Sequence, residues 1–206
     1  MLKADLWFPS IVWATEDIDF DTKWLKQYAD QLRTANPEGV KISNAGGWQS
    51  RSIEYPEFKE STIPPQLLKL KAQLDGAVGE ASAQAGLPTL HLNNLWFNIN
   101  GHKDHNMLHD HQGSLISGVL YSSVEEPDLM GNIEFHRDDH AIHYIPPLDR
   151  YNHFTSHKGS YQPREKILLL FPSWLKHSVN SNMSQKERYS LSFNYGPGAP
   201  DKIWRE

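Results

Sequence analysis

Two histidines flank an aspartate at His109-Asp110-His111, and an apolar run from Ile116 to Tyr121 follows shortly after. Imidazole is the commonest metal-binding side chain, so the pair invites a test as a metal site. At the start of a strand, residues i and i+2 project to one side. His109 and His111 would then converge on one ion while Asp110 points away. Standing alone, the pair reads more readily as two surface histidines of a polar loop. A third donor shifts that balance. Lys166–Phe171 (KILLLF) has the pattern of a buried strand, and His177 follows just after its turn. Eleven positions beyond His177 stands Arg188, which opens the segment RYSLSFN. Alternation there puts Arg188, Ser190, Ser192 and Asn194 on one face and Leu191 and Phe193 on the other. A buried polar face would leave the guanidinium in need of an anion, which a bound carboxylate supplies through a bidentate contact. An exposed edge strand with its polar face in water is the alternative.

The elements that must position these groups change character along the chain. Asp21 to Leu32 places Trp24, Leu25, Tyr28 and Leu32 on one helical face, with Asp21 as its cap. The paired glycines of SNAGGWQS (43–50) predict a loop. A second helix opens at Thr62-Ile63-Pro64-Pro65, carries Leu67, Leu70, Leu74, Ala77, Val78, Ala81 and Ala85, and ends at Gly86 and Pro88. From residue 89 the period becomes two. His91–Asn100 alternates Leu95, Phe97 and Ile99 against Trp96, Asn98 and Asn100. Further strands are expected at Ser114–Ser122, Asn132–His136, Lys166–Phe171 and Tyr189–Tyr195. Helices first and short strands after predict a mainly β fold with a helical buttress (α+β), a β-sandwich or jelly roll. One domain over 1–206 is expected, with a helix-rich lead-in over about 1–88 and a jelly-roll core over about 89–196.

Composition narrows the function. The chain has 206 residues, no cysteine and a formal net charge of -5. There is therefore no thiolate site or disulfide framework, and any metal must be held by His, Asp or Glu. No basic run suggests a nucleic-acid partner, and the N-terminal stretch reads as neither signal peptide nor membrane span. Cytoplasmic location is the expectation. Eleven histidines are present, none before His91, and the rest lie between His102 and His177. The chemistry is expected in that half.

The ordered blocks SNAGGWQS (43–50), WFNIN (96–100), HDHQGSLISGVLY (109–121), GNIEF (131–135), LFPSWLKHSV (170–179) and RYSLSFN (188–194) resemble a known family. It is the 2-oxoglutarate- and Fe(II)-dependent oxygenases on a double-stranded β-helix, and more closely a subgroup from marine bacteria and their phages. That family carries HxD or HxE, a distant His, and Arg-x-Ser eleven positions further. The resemblance implies that His109, His111 and His177 hold the iron. It implies that Arg188 with Ser190 clamps the distal carboxylate of 2-oxoglutarate, with Tyr121, Asn98 and Ser117 as further co-substrate contacts. Asn194, Asn100 and Trp174 are candidates to meet the substrate. His111 stands where most of the superfamily has a carboxylate, and three neutral imidazoles leave Fe(II) more positive. A second HxD, His136-Arg137-Asp138, follows the GNIEF strand and ranks lower.

The chemistry so implied uses Fe(II), 2-oxoglutarate and O2 to hydroxylate a C–H bond with release of succinate and CO2. No catalytic protein group beyond the metal centre is required. A small molecule or an amino-acid or peptidyl side chain is the expected substrate, with no membrane partner, and the subgroup's compact form permits a homodimer. Two rivals remain: a three-histidine cupin-type dioxygenase without 2-oxoglutarate, and a non-catalytic jelly-roll metal-binding protein. The histidine-rich stretch 136–161, with His136, His140, His143, His153, His157, Arg137 and Arg150, is expected to be a loop over the site's mouth.

Overall fold

The two helices are specified locally before they pack. In a computed structural model, which describes residues 3, 9–59, 63–139, 143–152 and 154–198, α1 spans Thr22–Ala35. The Asp21 side chain accepts the Trp24 backbone N–H at 3.0 Å, satisfying one orphan donor of the first turn. α2 spans Pro65–Ala85. Pro65 sits where a missing N–H costs nothing, and Gly86 ends the helix in the left-handed region at φ 67°. Thr62, expected at its start, lies outside the described residues, as do His140 and His153 of the loop.

Twelve strands among the described residues form two sheets. They are β1 (Trp13–Thr15), β2 (Asn44–Ala45), β3 (Trp48–Gln49), β4 (Ile53–Glu54), β5 (His91–Asn100) and β6 (His105–His109). Then follow β7 (Ile116–Ser123), β8 (Ile133–His136), β9 (Lys158–Tyr161), β10 (Leu168–Pro172), β11 (His177–Val179) and β12 (Arg188–Gly196). The major sheet has the order β1-β10-β7-β12-β5-β3, with β4 also on β5, and the minor sheet β2-β6-β11-β8-β9. Every pairing is antiparallel, as a jelly roll requires.

Alternation decides what each face of the major sheet meets. Leu95, Phe97, Ile99, Leu191 and Phe193 join Leu25, Leu67, Leu70, Leu74 and Val78 in a core between sheet and helices. Each fully buried side chain of this size is worth about 1.5–3 kcal/mol. The opposite face turns toward the minor sheet, where Val119, Tyr121, Leu169 and Phe171 pack with Ile133 and Phe135. β12 lies between β7 and β5, so it is a central strand and not an exposed edge. α1 is pinned to the start of β12. Arg33 pairs with Glu187 at 2.7 Å, and the Tyr189 hydroxyl shares its one proton between the Asp30 and Glu187 carboxylates, at 2.9 and 2.7 Å.

Several elements differ from the expectation. The lead-in is not only helical: β1 extends the major sheet and 44–54 contributes three short strands. Gly46 and Gly47, both at positive φ (72° and 51°), carry the chain from β2 in one sheet to β3 in the other. The HxH motif does not open a strand. His109 is the last residue of β6, and His111 lies in the segment before β7. Tyr121 is therefore not on His111's strand but comes from the opposite sheet.

Candidate metal and co-substrate site

Three short pieces of chain bring the histidines together. His109 ends β6 and is the direct register partner of His177, which opens β11. A register shift between these strands lets Met107 and Leu108 both turn outward, half-exposed, while His109 faces inward. His111 is fixed by its backbone N–H, which donates to the Ser173 carbonyl at 2.9 Å. One ligand atom from each of the three rings lies within 4.8 Å of the others. His111 Nε2 and His177 Nε2 are 3.2 Å apart. Two donors each about 2.1 Å from an ion and at right angles stand about 3 Å apart, so the spacing fits a six-coordinate metal with one face occupied.

Tautomers point the same way. His109 Nδ1 lies 2.7 Å from the Met107 carbonyl, and His177 Nδ1 lies 2.9 Å from the Leu175 carbonyl. A carbonyl accepts only, so each Nδ1 carries the proton and each Nε2 offers a lone pair to the cluster. Burial and the neighbouring rings hold all three imidazoles neutral. Desolvation, then the charge of His109, pushes His177 down to about 3 and His111 to about 4. His109 is lowered mainly by burial. Two lone pairs thus converge beside the third neutral ring, an arrangement that a bound cation would stabilise. The residues present therefore fit a divalent metal.

The histidines form one end of a narrow cavity of about 50 Å³ between the sheets. A single water needs roughly 10–15 Å³ on this scale, so the cavity suits a slim small molecule. Its wall includes Trp96, Asn98 and Asn100 from β5, Tyr121 from β7 and Arg188, Ser190 and Ser192 from β12. The Trp96 ring stacks on His111 at 5.6 Å. Arg188 closes the far end, only 2 % exposed. Its Nη1 donates to the Met130 carbonyl and, at 2.9 Å, to the Gly131 carbonyl, while Nε has no partner. No ion pair links Arg188 to a carboxylate among the described residues. Burial lowers its pKa from the ordinary value, and the nearby Tyr121 and Asp104 only partly offset this. A buried cation with carbonyls on one side and an orphan donor on the other calls for an anion. Asn98 has the second orphan on this wall, Oδ1, while its Nδ2 donates to Ser192 Oγ at 3.0 Å. Because the Ser192 hydroxyl can donate or accept, Asn98 can present either end of its amide to a ligand.

Not every candidate lines this cavity. Ser117 does not: its hydroxyl lies 2.8 Å from Ser173 Oγ and donates to Asn194 Oδ1 at 2.7 Å. Asn194, expected to face substrate, is also absent from the wall. Its Oδ1 accepts from Ser117, and its Nδ2 donates to Asn94 Oδ1 at 3.0 Å. Trp174 is 61 % exposed in the turn before His177 and does not line the cavity. Asp110 stays outside the cluster, as expected. His136 bonds Ser178 Oγ at 2.9 Å and Asp138 pairs with Lys176 at 2.8 Å, so the second HxD is used elsewhere. The loop after β8 leaves the sheet beside the site, where the His136 N–H donates to the Lys176 carbonyl. Ser43, Asn106 and Ser192 line the cavity without having been singled out. Ser192 was findable, since it shares the face of Arg188 and Ser190. Asn106 was hidden by the irregular register of β6.

Comparisons with known proteins agree with this geometry. Residues 94–194 match a family model described as "Putative 2OG-Fe(II) oxygenase". A search of curated proteins by sequence gives no match. Among solved structures, a prolyl-4-hydroxylase of Pseudomonas putida is similar with a TM-score of 0.63 at 14% identity, covering 92% of this chain and 94% of that one. HygX of Streptomyces hygroscopicus, solved with nickel, 2-oxoglutarate and hygromycin B bound, gives 0.62 at 14% identity over 92% and 84%. A viral collagen prolyl hydroxylase from Paramecium Bursaria Chlorella virus-1, in complex with 2-oxoglutarate, gives 0.55 at 10% identity over 89% and 94%. At these identities the likeness shows the double-stranded β-helix fold. The family match runs across β5 to β12 and, with the shared fold, supports reading the chain as a 2-oxoglutarate- and Fe(II)-dependent oxygenase.

Proposed function

We propose that this oxygenase holds Fe(II) through His109, His111 and His177 and binds 2-oxoglutarate between that metal and Arg188, to hydroxylate a C–H bond of a small-molecule, amino-acid or peptidyl substrate. The observation that carries the reading is the cavity itself: three clustered imidazoles and, on the same lining, a buried guanidinium whose Nε has no partner. Bound iron supplies the activation of O2 coupled to decarboxylation of 2-oxoglutarate. The chain's residues do the rest. Four residues of extended strand, about 14 Å, separate Arg188 from Ser192, which lies at the level of the histidines. The Arg188 guanidinium is held at the Gly131 carbonyl, four residues before Phe135, the register partner of His177, which leaves room for a five-carbon diacid. Nε and the second terminal nitrogen of Arg188 face its distal carboxylate, with the Tyr121 hydroxyl and Ser190 beside them. Asn98 offers its amide to the middle of the co-substrate. Val119, Phe171 and Ile133 keep the slot dry, which strengthens each polar contact.

A three-histidine dioxygenase that uses no 2-oxoglutarate has no need of Arg188, and a structural metal site has no need of the cavity. The slot is too narrow for a bulky second molecule, so the substrate would meet the metal from the mouth. The test is Fe(II)- and O2-dependent release of labelled CO2 from 2-oxoglutarate labelled at C1. Succinate formed in equal amount supports the reading. Turnover that ignores removal of iron, or none at any 2-oxoglutarate concentration with iron bound, contradicts it.

A further inference from the structure

We infer that Ser173, Ser117 and Asn194 are positioning residues for His111: a buried row of their side chains across the major sheet sets where that metal ligand stands. The inference deepens the iron reading above and rests on it. The three histidines are not held alike. His109 and His177 sit in paired strands and face each other in register. His111 belongs to no strand. Its main chain is fixed by one backbone N–H, donated to the Ser173 carbonyl at 2.9 Å, and its ring stacks on Trp96. The place of His111 therefore follows the place of Ser173.

Ser173 sits in the turn between β10 and β11, closed by the Leu175 N–H on the Pro172 carbonyl at 2.9 Å. That turn serves two ligands, because the Leu175 carbonyl is also the 2.9 Å partner of His177 Nδ1. Ser173 meets the segment 111–117 through three groups. Its carbonyl takes the His111 N–H, its own N–H donates to the Leu115 carbonyl at 3.0 Å, and its hydroxyl lies 2.8 Å from Ser117 Oγ. The hydroxyl contact continues across the sheet. Ser117 Oγ donates to Asn194 Oδ1 at 2.7 Å, and Asn194 Nδ2 donates to Asn94 Oδ1 at 3.0 Å. Ser117 has one proton, and spending it on Asn194 means that it accepts from Ser173. The row thus runs one way, from Ser173 through Ser117 and Asn194 to Asn94.

Four neighbouring strands give the row its footing. Ser173 follows β10, Ser117 lies on β7, Asn194 on β12 and Asn94 on β5, and the sheet pairs those strands in that order. Ser117 and Asn194 are register partners, as are Asn194 and Asn94. β12 also carries Arg188, so the row ties the His111 turn to the strand that faces the co-substrate. Ser173, Ser117 and Asn194 are 0, 1 and 8 % exposed, so water does not replace a missing member. Deleting one hydroxyl leaves buried neighbours unpaired, and the turn shifts to satisfy them. His111 moves with the turn, while His109 and His177 keep their ladder. Elsewhere, losing an outer partner of a metal ligand typically costs about 10–100-fold in metal affinity.

The experiment pairs Co(II) titration with amide hydrogen exchange on metal-free protein. In the wild type the His111 amide should be protected from exchange at least about tenfold, although it lies outside any strand. Ser117→Ala and Ser173→Ala should each weaken Co(II) binding about 10- to 100-fold and speed exchange at His111 more than at His177. The double variant should bind Co(II) within about threefold of the weaker single one, since both breaks fall in one row. Val78→Ala, in the helix-side core, lowers stability without touching the row and should keep Co(II) affinity within about threefold. Wild-type affinity in both serine variants, losses that multiply in the double variant, or an equal loss in Val78→Ala overturns the inference. Should the serine variants fail to fold, the wild-type amide still decides: protection at His111 supports the row, and free exchange there overturns it. Wild-type protein that binds neither Co(II) nor Fe(II), yet protects His111 and loses that protection in Ser117→Ala, overturns the iron reading and leaves the row standing.

Discussion

Replacing Arg188 with methionine separates a co-substrate clamp from a structural arginine. The side chain is 2 % exposed, and its donors reach two carbonyls, those of Met130 and Gly131. Removing it leaves those carbonyls unpaired, a cost of about 1–3 kcal/mol each. Against this, the variant no longer buries a cation without a carboxylate, a penalty of several kcal/mol. The two effects oppose, so metal-free stability should change by no more than about 2 kcal/mol in a urea melt. Binding of 2-oxoglutarate should respond very differently. Truncating one partner of a buried charged contact costs about 2–5 kcal/mol, or about 30-fold to several-thousand-fold in affinity. Calorimetry on Ni(II)-loaded protein measures this directly. Wild-type protein at 100 times its Kd should gain about 2.7 kcal/mol of stability from 2-oxoglutarate, and the variant almost none. A variant that loses more than about 4 kcal/mol without ligand, or binds 2-oxoglutarate within threefold of wild type, would refute the argument.

Three further outcomes follow from the geometry. His111→Ala should lose at least about 100-fold in Fe(II) affinity while Asp110→Ala keeps it, and anaerobic equilibrium binding that shows the reverse order overturns the ligand set. Gly131 sits at φ 74°, and a Cβ there would come 2.1 Å from the Asn180 carbonyl oxygen. Gly131→Ala should therefore shift the carbonyls that hold Arg188, lowering stability by about 1–3 kcal/mol and raising KM for 2-oxoglutarate while metal affinity stays constant. An unchanged KM would separate that segment from the clamp. Acid should destabilise the metal-free protein through the triad. His111 and His177 are depressed from 6.5 to about 4 and about 3, so below pH 6.5 the unfolded chain takes up protons that the folded chain refuses. Stability is then fully present above pH 6.5 and falls through the interval down to about 3. A His177→Phe variant whose melts show the same acid slope as wild type counts against this.

What could be read from the sequence follows from where alternation is strict. Leu95, Phe97 and Ile99 lie in the helix-side core, and Trp96, Asn98 and Asn100 line the cavity, as period two requires of a central strand. The same rule placed Leu191 and Phe193 opposite Arg188, Ser190 and Ser192. It failed at β6, where the register shift turns Met107 and Leu108 outward together and no alternation remains to detect. That failure put the HxH motif at the start of a strand, whereas His109 ends β6. β2 and β3 were hidden for a different reason: two residues each are too short to show a period, and the glycines between them look like a loop. Asn194 and Ser117 were read on the right faces but given the wrong neighbours. Their partners, Asn94 and Ser173, come from other strands, and no local pattern reports a contact between strands. Nor does it report the Met130 and Gly131 carbonyls, which approach Arg188 only because the two sheets close on each other.

The central claim is that one cavity holds iron at its histidine end and 2-oxoglutarate against Arg188. Anaerobic protein mixed with Fe(II) and then 2-oxoglutarate gives the most direct measurement, because a bidentate keto-acid on iron produces a weak visible charge-transfer band. The account predicts that band in wild-type protein at a stoichiometry of one per chain, its loss in His177→Ala, and a much higher 2-oxoglutarate requirement in Arg188→Ala. A wild-type sample that binds Fe(II) and shows no band at saturating 2-oxoglutarate would contradict it.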